Sequence, residues 1–171
     1  VASGLRGGDV VGKPDPFVKL SIANLTGEGI DWKAQTSFQE AAGRMACWDN
    51  IDDIMTPITK DACLLKRLKV TALDHNNITN DAIMGSGDVG LRGAGAIPNQ
   101  DKILLVSLKD KSGKNAGKVE ITVCLVPDVD MTSGIDRDGD GVDDGLEGNK
   151  MQGCLEISSI EWKLGRGSDS A

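Results

Sequence analysis

With 171 residues, 22 of them glycine, no tyrosine, two phenylalanines and three tryptophans, the chain has the size of one domain with an appendage, and Val, Ile and Leu must fill its core. The net charge of −7 sits in one place: of 26 acidic and 19 basic residues, eight acids and Arg137 alone fall between Asp128 and Glu147, which leaves 18 of each sign elsewhere. A neutral body with no basic stripe excludes nucleic acid as a constitutive partner, and no apolar run is long enough to span a bilayer as a helix.

Residues 1–8 read as the tail of a strand with Val1, Ala2 and Leu5 inward, and the chain opens in mid-pattern, like a piece of something larger. From Gly8 to Pro16 neither helix nor strand is possible, because Gly8, Gly12, Pro14 and Pro16 forbid regular pairing. Phe17 to Ala23 predicts a strand, with Val18, Leu20 and Ile22 alternating against Lys19 and Ser21. Asn24 to Gly29 is a turn, Lys33 to Phe38 the next strand, and Ala41 to Gly43 its break. From Trp48 to Asp61, Ile51, Ile54, Met55 and Ile58 fit a helical face as well as an irregular strand, and Pro57 limits both. Leu64 to Leu73 predicts a strand with Leu68, Val70 and Ala72 on one side and Arg67, Lys69 and Thr71 on the other; Ile83 to Leu91 follows it. Ile103 to Leu108 and Val119 to Val126 form a closing pair through the turn at 111–117. Beyond Pro127 the chain is acidic and glycine-rich, until Cys154 to Leu164 offers another strand-like run.

Asp9 and Asp15 share one short loop at a strand start. Two carboxylates that close repel each other unless a cation neutralises them, and hard Ca2+ prefers such oxygen clusters. The segment Asp9-x-x-Gly12-Lys13-x-Asp15-Pro16-Phe17-Val18-Lys19-Leu20 resembles the first calcium loop and following strand of a C2 domain. Leu68 to Gly85, with Asp74-His75-Asn76 and Asp81-Ala82-Ile83-Met84-Gly85, resembles the strand, third calcium loop and Ile-x-Gly return of the same family. Lys33-Ala34-Gln35-Thr36 and Cys47-Trp48-Asp49-Asn50 echo its Lys-x-x-Thr strand and its Pro-x-Trp-Asn-Glu segment, and place a strand over 51–58.

The resemblance implies an all-β fold: an antiparallel, eight-stranded β-sandwich of C2 type with a calcium-loop linker and one extra C-terminal strand. Residues 1–127 would be the sandwich with its first strand mostly missing, 128–150 the acidic linker, and 151–171 a strand that completes the sandwich or starts a following repeat. It also implies a rim where Asp9, Asp15, Asp74, Asn76 and Asp81 hold Ca2+, which then bridges to anionic lipid or changes the sign of the local potential. Counted back from Gly85, Ala82 stands where the family carries its last Asp, and Asn76 replaces another. With fewer charges, the rim is expected to bind one calcium weakly or none.

Asp136-Arg137-Asp138-Gly139-Asp140-Gly141-Val142-Asp143-Asp144-Gly145-Leu146-Glu147 has EF-hand spacing. Asp136, Asp138 and Asp140 take positions 1, 3 and 5, Gly141 makes the turn, the Val142 carbonyl serves at 7, Asp144 at 9, and Glu147 closes the loop at 12. Its glycine-rich flanks more closely resemble the isolated calcium loops of thrombospondin type 3 and dockerin-like repeats, which implies a structural clip. A solvated acidic linker is the plain alternative.

Gly85-Ser86-Gly87-Asp88-Val89-Gly90 spells G-x-G-x-x-G, but Gly93, Gly95 and Pro98 leave no helix to follow, so a dinucleotide site is not expected. His75 is the only histidine, and no G-x-S-x-G nucleophile motif accompanies it, so no enzyme is expected. Lys66, Arg67 and Lys69 form at most a modest basic face. The sequons at Asn24 and Asn77 matter only in a secreted chain. Cys47, Cys63, Cys124 and Cys154 lack C-x-x-C or metal-finger spacing and are expected as buried free thiols, with a disulfide open in an extracellular setting. The expected function is a non-enzymatic calcium-binding module that docks on an anionic membrane surface or on protein partners in a larger assembly. The alternative is a scaffold module with a degenerate rim and calcium only in the linker. The C2 likeness implies a cytoplasmic, membrane-associated place, and the linker loop type an extracellular one.

Overall fold

The alternation that predicts a strand after Pro16 is present as β1 (Pro16–Ile22), where Val18, Leu20 and Ile22 are buried and Lys19 is exposed. The computed structural model describes residues 13–25, 29–49, 54–127 and 152–165. Within them follow β2 (Trp32–Gln35), β3 (Met45–Asp49), β4 (Met55–Thr59), a short helix α1 (Lys60–Leu65), β5 (Arg67–Asp74) and β6 (Ala82–Gly90). A second short helix α2 (Arg92–Ala96), β7 (Lys102–Lys109), β8 (Asn115–Pro127) and β9 (Gln152–Leu164) complete the order.

All pairings are antiparallel. One layer runs β2-β1-β5-β6; the other runs β7-β8-β9, with β3 and β4 both along the outer side of β9. β9 is long enough for both, since Ser159 to Lys163 face β3 and Gln152 to Glu156 face β4. A single pair, Ser86 opposite Lys109, joins the layers, and the sheet folds over as an all-β antiparallel sandwich. Leu20, Leu68 and Val70 from one layer meet Val106, Ile121, Ile157, Ile160 and Trp162 from the other in one core. Each such side chain contributes about 1.5–3 kcal/mol by leaving water.

Gly85, Gly87 and Gly90 all lie on β6 itself. A methyl at Gly87 would collide with the Ser107 carbonyl oxygen, and one at Gly85 would come within 2.6 Å of Ala116 Cβ. The G-x-G spacing therefore serves the seam between the layers, where only a bare backbone fits.

Several expectations are corrected. Leu64 does not open a strand: Thr59 caps α1 by accepting the Ala62 N–H at 3.1 Å, with Asp61 in the first turn, and Cys63 turns inward. A single helical turn does form at Arg92–Ala96 despite its glycines, held by the buried Leu91 and Ala94. β3 was not foreseen as a strand, although Ala46 and Trp48 alternate inward along it. β2 stops at Gln35 because only half of the next ladder pair is backbone: the Thr36 N–H donates to the Val18 carbonyl at 2.9 Å, but the Val18 N–H goes to the Thr36 hydroxyl at 3.0 Å. The expected 1–8 strand tail lies outside the described residues.

All four cysteines are free. Burial pushes the Cys63 thiol up to about 11, as a core thiol should behave. Cys47, expected inside, is exposed, because the β3 alternation that buries Ala46 and Trp48 points it outward. Trp162 is fully buried, and its indole N–H finds no acceptor among the described residues. Trp162→Phe deletes that unpaired donor together with some packing. Its expected cost is within about 1.5 kcal/mol in urea unfolding, against about 3–5 kcal/mol for Trp162→Ala.

Candidate functional site

Pro16 pairs with Asp74 across β1 and β5, which sets Asp15 and Asp74 side by side where both strands meet the loops. The Asp15 N–H donates to Asp74 Oδ1 at 2.7 Å, and the Asp15 carbonyl accepts the His75 N–H at 3.0 Å. Asp15 Oδ1 in turn accepts the Ala41 N–H at 2.6 Å, which brings in the β2–β3 connection. That connection follows β1 further, through Gln39 N–H to the Pro16 carbonyl at 3.0 Å.

Asp81 closes the β5–β6 loop on itself: its Oδ1 accepts the Asn76 N–H at 3.0 Å and lies 3.1 Å from His75 Nδ1. The Asn76 amide, and after it the His75 ring, hold the Asp81 carboxyl below the usual carboxylate range. His75 Nε2 lies 3.1 Å from Asn77 Oδ1, so each ring nitrogen has a polar neighbour within its own loop. Phe38 stacks on the imidazole with centroids 4.2 Å apart, and Phe17 meets it edge-on at 6.3 Å. A hollow of about 210 Å³ lies beside this stack, lined by Lys19, Thr36 and Ser37 as well. At the tip of the same loop Ile78 is 97% exposed.

The structure thus brings Asp15, Asp74, Asn76 and Asp81 to one end of the sandwich. Each of the three carboxylates spends an oxygen on a backbone N–H, and among the described residues no three His, Cys, Asp or Glu side chains gather as a metal site. A calcium cage needs six to eight converging oxygens, and these hydrogen bonds engage Oδ1 alone on each carboxylate. Asp9 lies outside the described residues, as do Asp136, Asp138, Asp140, Val142, Asp144 and Glu147. The strand ends that flank that acidic segment, Pro127 and Gly153, pair with each other at the end of the sandwich opposite the rim.

Sequence reasoning missed a second feature. The β2-β1-β5 register sets Lys33 opposite Ser21 and Ser21 opposite Lys69, with Lys19 two residues along β1 between Gln35 and Thr71. These side chains line a hollow of about 490 Å³ on the outer face. Of the three basic residues singled out in sequence only Lys69 contributes, because Arg67 is ion-paired with Asp88. The outward alternation of Lys19 and Lys33 was legible; their meeting across strands needed the register. A larger cleft of about 530 Å³ between the β2 and β4 edges is lined mainly by apolar residues such as Leu25, Ile30 and Trp32, and lies away from the rim carboxylates.

No family model matches the chain, and no curated protein sequence matches it. Among solved structures it is similar to the C2A domain of a plant Extended Synaptotagmin 1, at 20% identity and a TM-score of 0.48, over 70% of this chain and 82% of that one. No helix among the described residues is long and apolar enough to cross a membrane.

Proposed function

We propose that this chain is a non-catalytic docking module that lays its rim and the lysine face of β2-β1-β5 on an anionic membrane surface, with calcium held by the 136–147 loop. The observation that carries this is Ile78, an isoleucine almost wholly in water at the tip of a loop that Asp81 and His75 hold in shape. Moving it into the acyl boundary gains about 1.5–3 kcal/mol, and each lysine near an anionic leaflet adds about 1 kcal/mol. Together these give about 5 kcal/mol, a sub-millimolar affinity, which suits one module among several in a longer protein. The placing of His75 between Asp81 and Asn77 of its own loop supports a structural role rather than a base in catalysis.

Co-sedimentation with phosphatidylserine-containing vesicles tests this. Binding is expected to weaken in high salt, to fall about tenfold or more with Ile78→Asp, and to vanish when Lys33→Glu and Lys69→Glu are added. Equal binding to neutral phosphatidylcholine vesicles, or none to either, defeats it. A protein contact within a larger assembly is favoured by a different face: Ile103 and Leu105 point outward from β7, 70% and 55% exposed. Leu105→Lys should then leave vesicle binding unchanged.

A further inference from the structure

We infer that Asp15, Asp74 and Asp81 act as positioning residues that lock two loops to the start of β1 in a preformed rim, which therefore keeps its shape, and docks, without calcium. The docking half of this rests on the membrane reading above; the locking half stands on the hydrogen bonds alone. Asp15 is the junction: its N–H, carbonyl and carboxylate engage Asp74, His75 and Ala41 respectively. Through it the start of β1, the β2–β3 connection and the β5–β6 loop become one unit.

Each carboxylate gives its Oδ1 to a backbone N–H that offsets part of its charge, so no cation is needed to hold the loops in place. Ala41, whose N–H Asp15 captures, sits at φ +49°, a left-handed conformation that a residue with a Cβ avoids unless its surroundings fix it. The Phe38–His75 stack fixes the same connection from its other side. Trp48 Nε1, donating to the Ser37 carbonyl at 2.9 Å, ties its base to β3. The loop that bears Ile78 is thus braced on two sides by groups of this chain.

Exchange of backbone amides for deuterium, followed in the whole chain with chelator and with added calcium, tests the inference. The amides of Asp15, Ala41 and Asn76 are expected to be protected in chelator, and calcium to leave their rates within about twofold. Asp15→Ala should speed exchange at Ala41 by roughly tenfold or more, whereas Asp15→Asn, which keeps the acceptor oxygen and loses the charge, should change it less than about threefold. Should Asp15→Ala fail to fold, Asp81→Ala reports the same lock at the Asn76 amide, with Asp81→Asn as its rescue. Asp15→Asn combined with Asp74→Asn is expected to retain vesicle binding in chelator. Calcium-induced protection at these amides, or equal damage from Asn and Ala, overturns the inference. Protection in chelator without any vesicle binding removes the docking proposal and leaves the locked rim standing.

Discussion

Gly117→Ala should unfold most of this protein's margin, at about 4 kcal/mol in urea unfolding. Gly117 holds φ +121°, where side-chain-bearing residues rarely sit, and forcing one there costs about 1–3 kcal/mol. The added methyl also meets backbone that cannot step aside: the Lys163 carbonyl oxygen, with Gly165 N at 2.6 Å and Leu164 C at 3.1 Å. β8 and β9 approach closely here because neither Gly117 nor Gly165 carries a Cβ, and Leu164 N–H donates at 2.8 Å to the carbonyl of Arg44, just before β3. Against a typical total stability of about 5–15 kcal/mol, such a loss leaves a large unfolded fraction. Gly93→Ala in α2 is the control, since nothing lies within 4 Å of its added methyl and its φ is not positive; helix propensity gives it a gain of about 0.5–1 kcal/mol. Equal effects from the two substitutions would mean that β8 and β9 do not approach as described.

The strands were legible where one face alone is buried. Val18, Leu20 and Ile22, and then Leu68, Val70 and Ala72, announce their period because Lys19, Lys69 and their neighbours must stay in water. Short elements were not: β3 has two inward side chains, too few to fix a period, and α1 rests on the Thr59 cap and on tertiary burial of Cys63. The half-buried runs separated by turns pointed to many short strands, and the resemblance to C2 domains supplied the sandwich. At the rim, the resemblance to C2 calcium loops implied that Asp15 lies near Asp74 and Asp81. What each carboxylate faces was hidden, since Ala41, the partner of Asp15, lies 26 positions away in a segment read only as a break. The lysine face failed for the same reason: Lys19, Lys33 and Lys69 are distant in sequence and meet only through the register of three strands.

Calcium should raise the melting temperature of the intact chain, and Glu147→Gln or Asp138→Asn should abolish the rise. Residues 128–151 connect two strands whose ends are paired, Pro127 opposite Gly153, and β9 is central to its layer, between β8 and the β3 and β4 edge. Structureless connections beyond about 12–15 residues are uncommon inside a domain. Six acids within 136–147 repel one another along this one, and on the proposed reading a cation chelated by Asp136, Asp138, Asp140, Asp144, Glu147 and the Val142 carbonyl would supply the counter-charge. At free calcium a hundredfold above the dissociation constant, linkage adds about 2.7 kcal/mol, or about 5–10 °C for a domain of this size. In chelator the sign reverses: Asp138→Asn should melt at or above the parent, because it removes one of the crowded charges and no bound metal is lost. Asp15→Asn should keep the full calcium shift, since its carboxylate serves Ala41. A shift that survives Glu147→Gln and disappears with Asp15→Asn would move the calcium to the rim, and the locked-rim inference would fall with it.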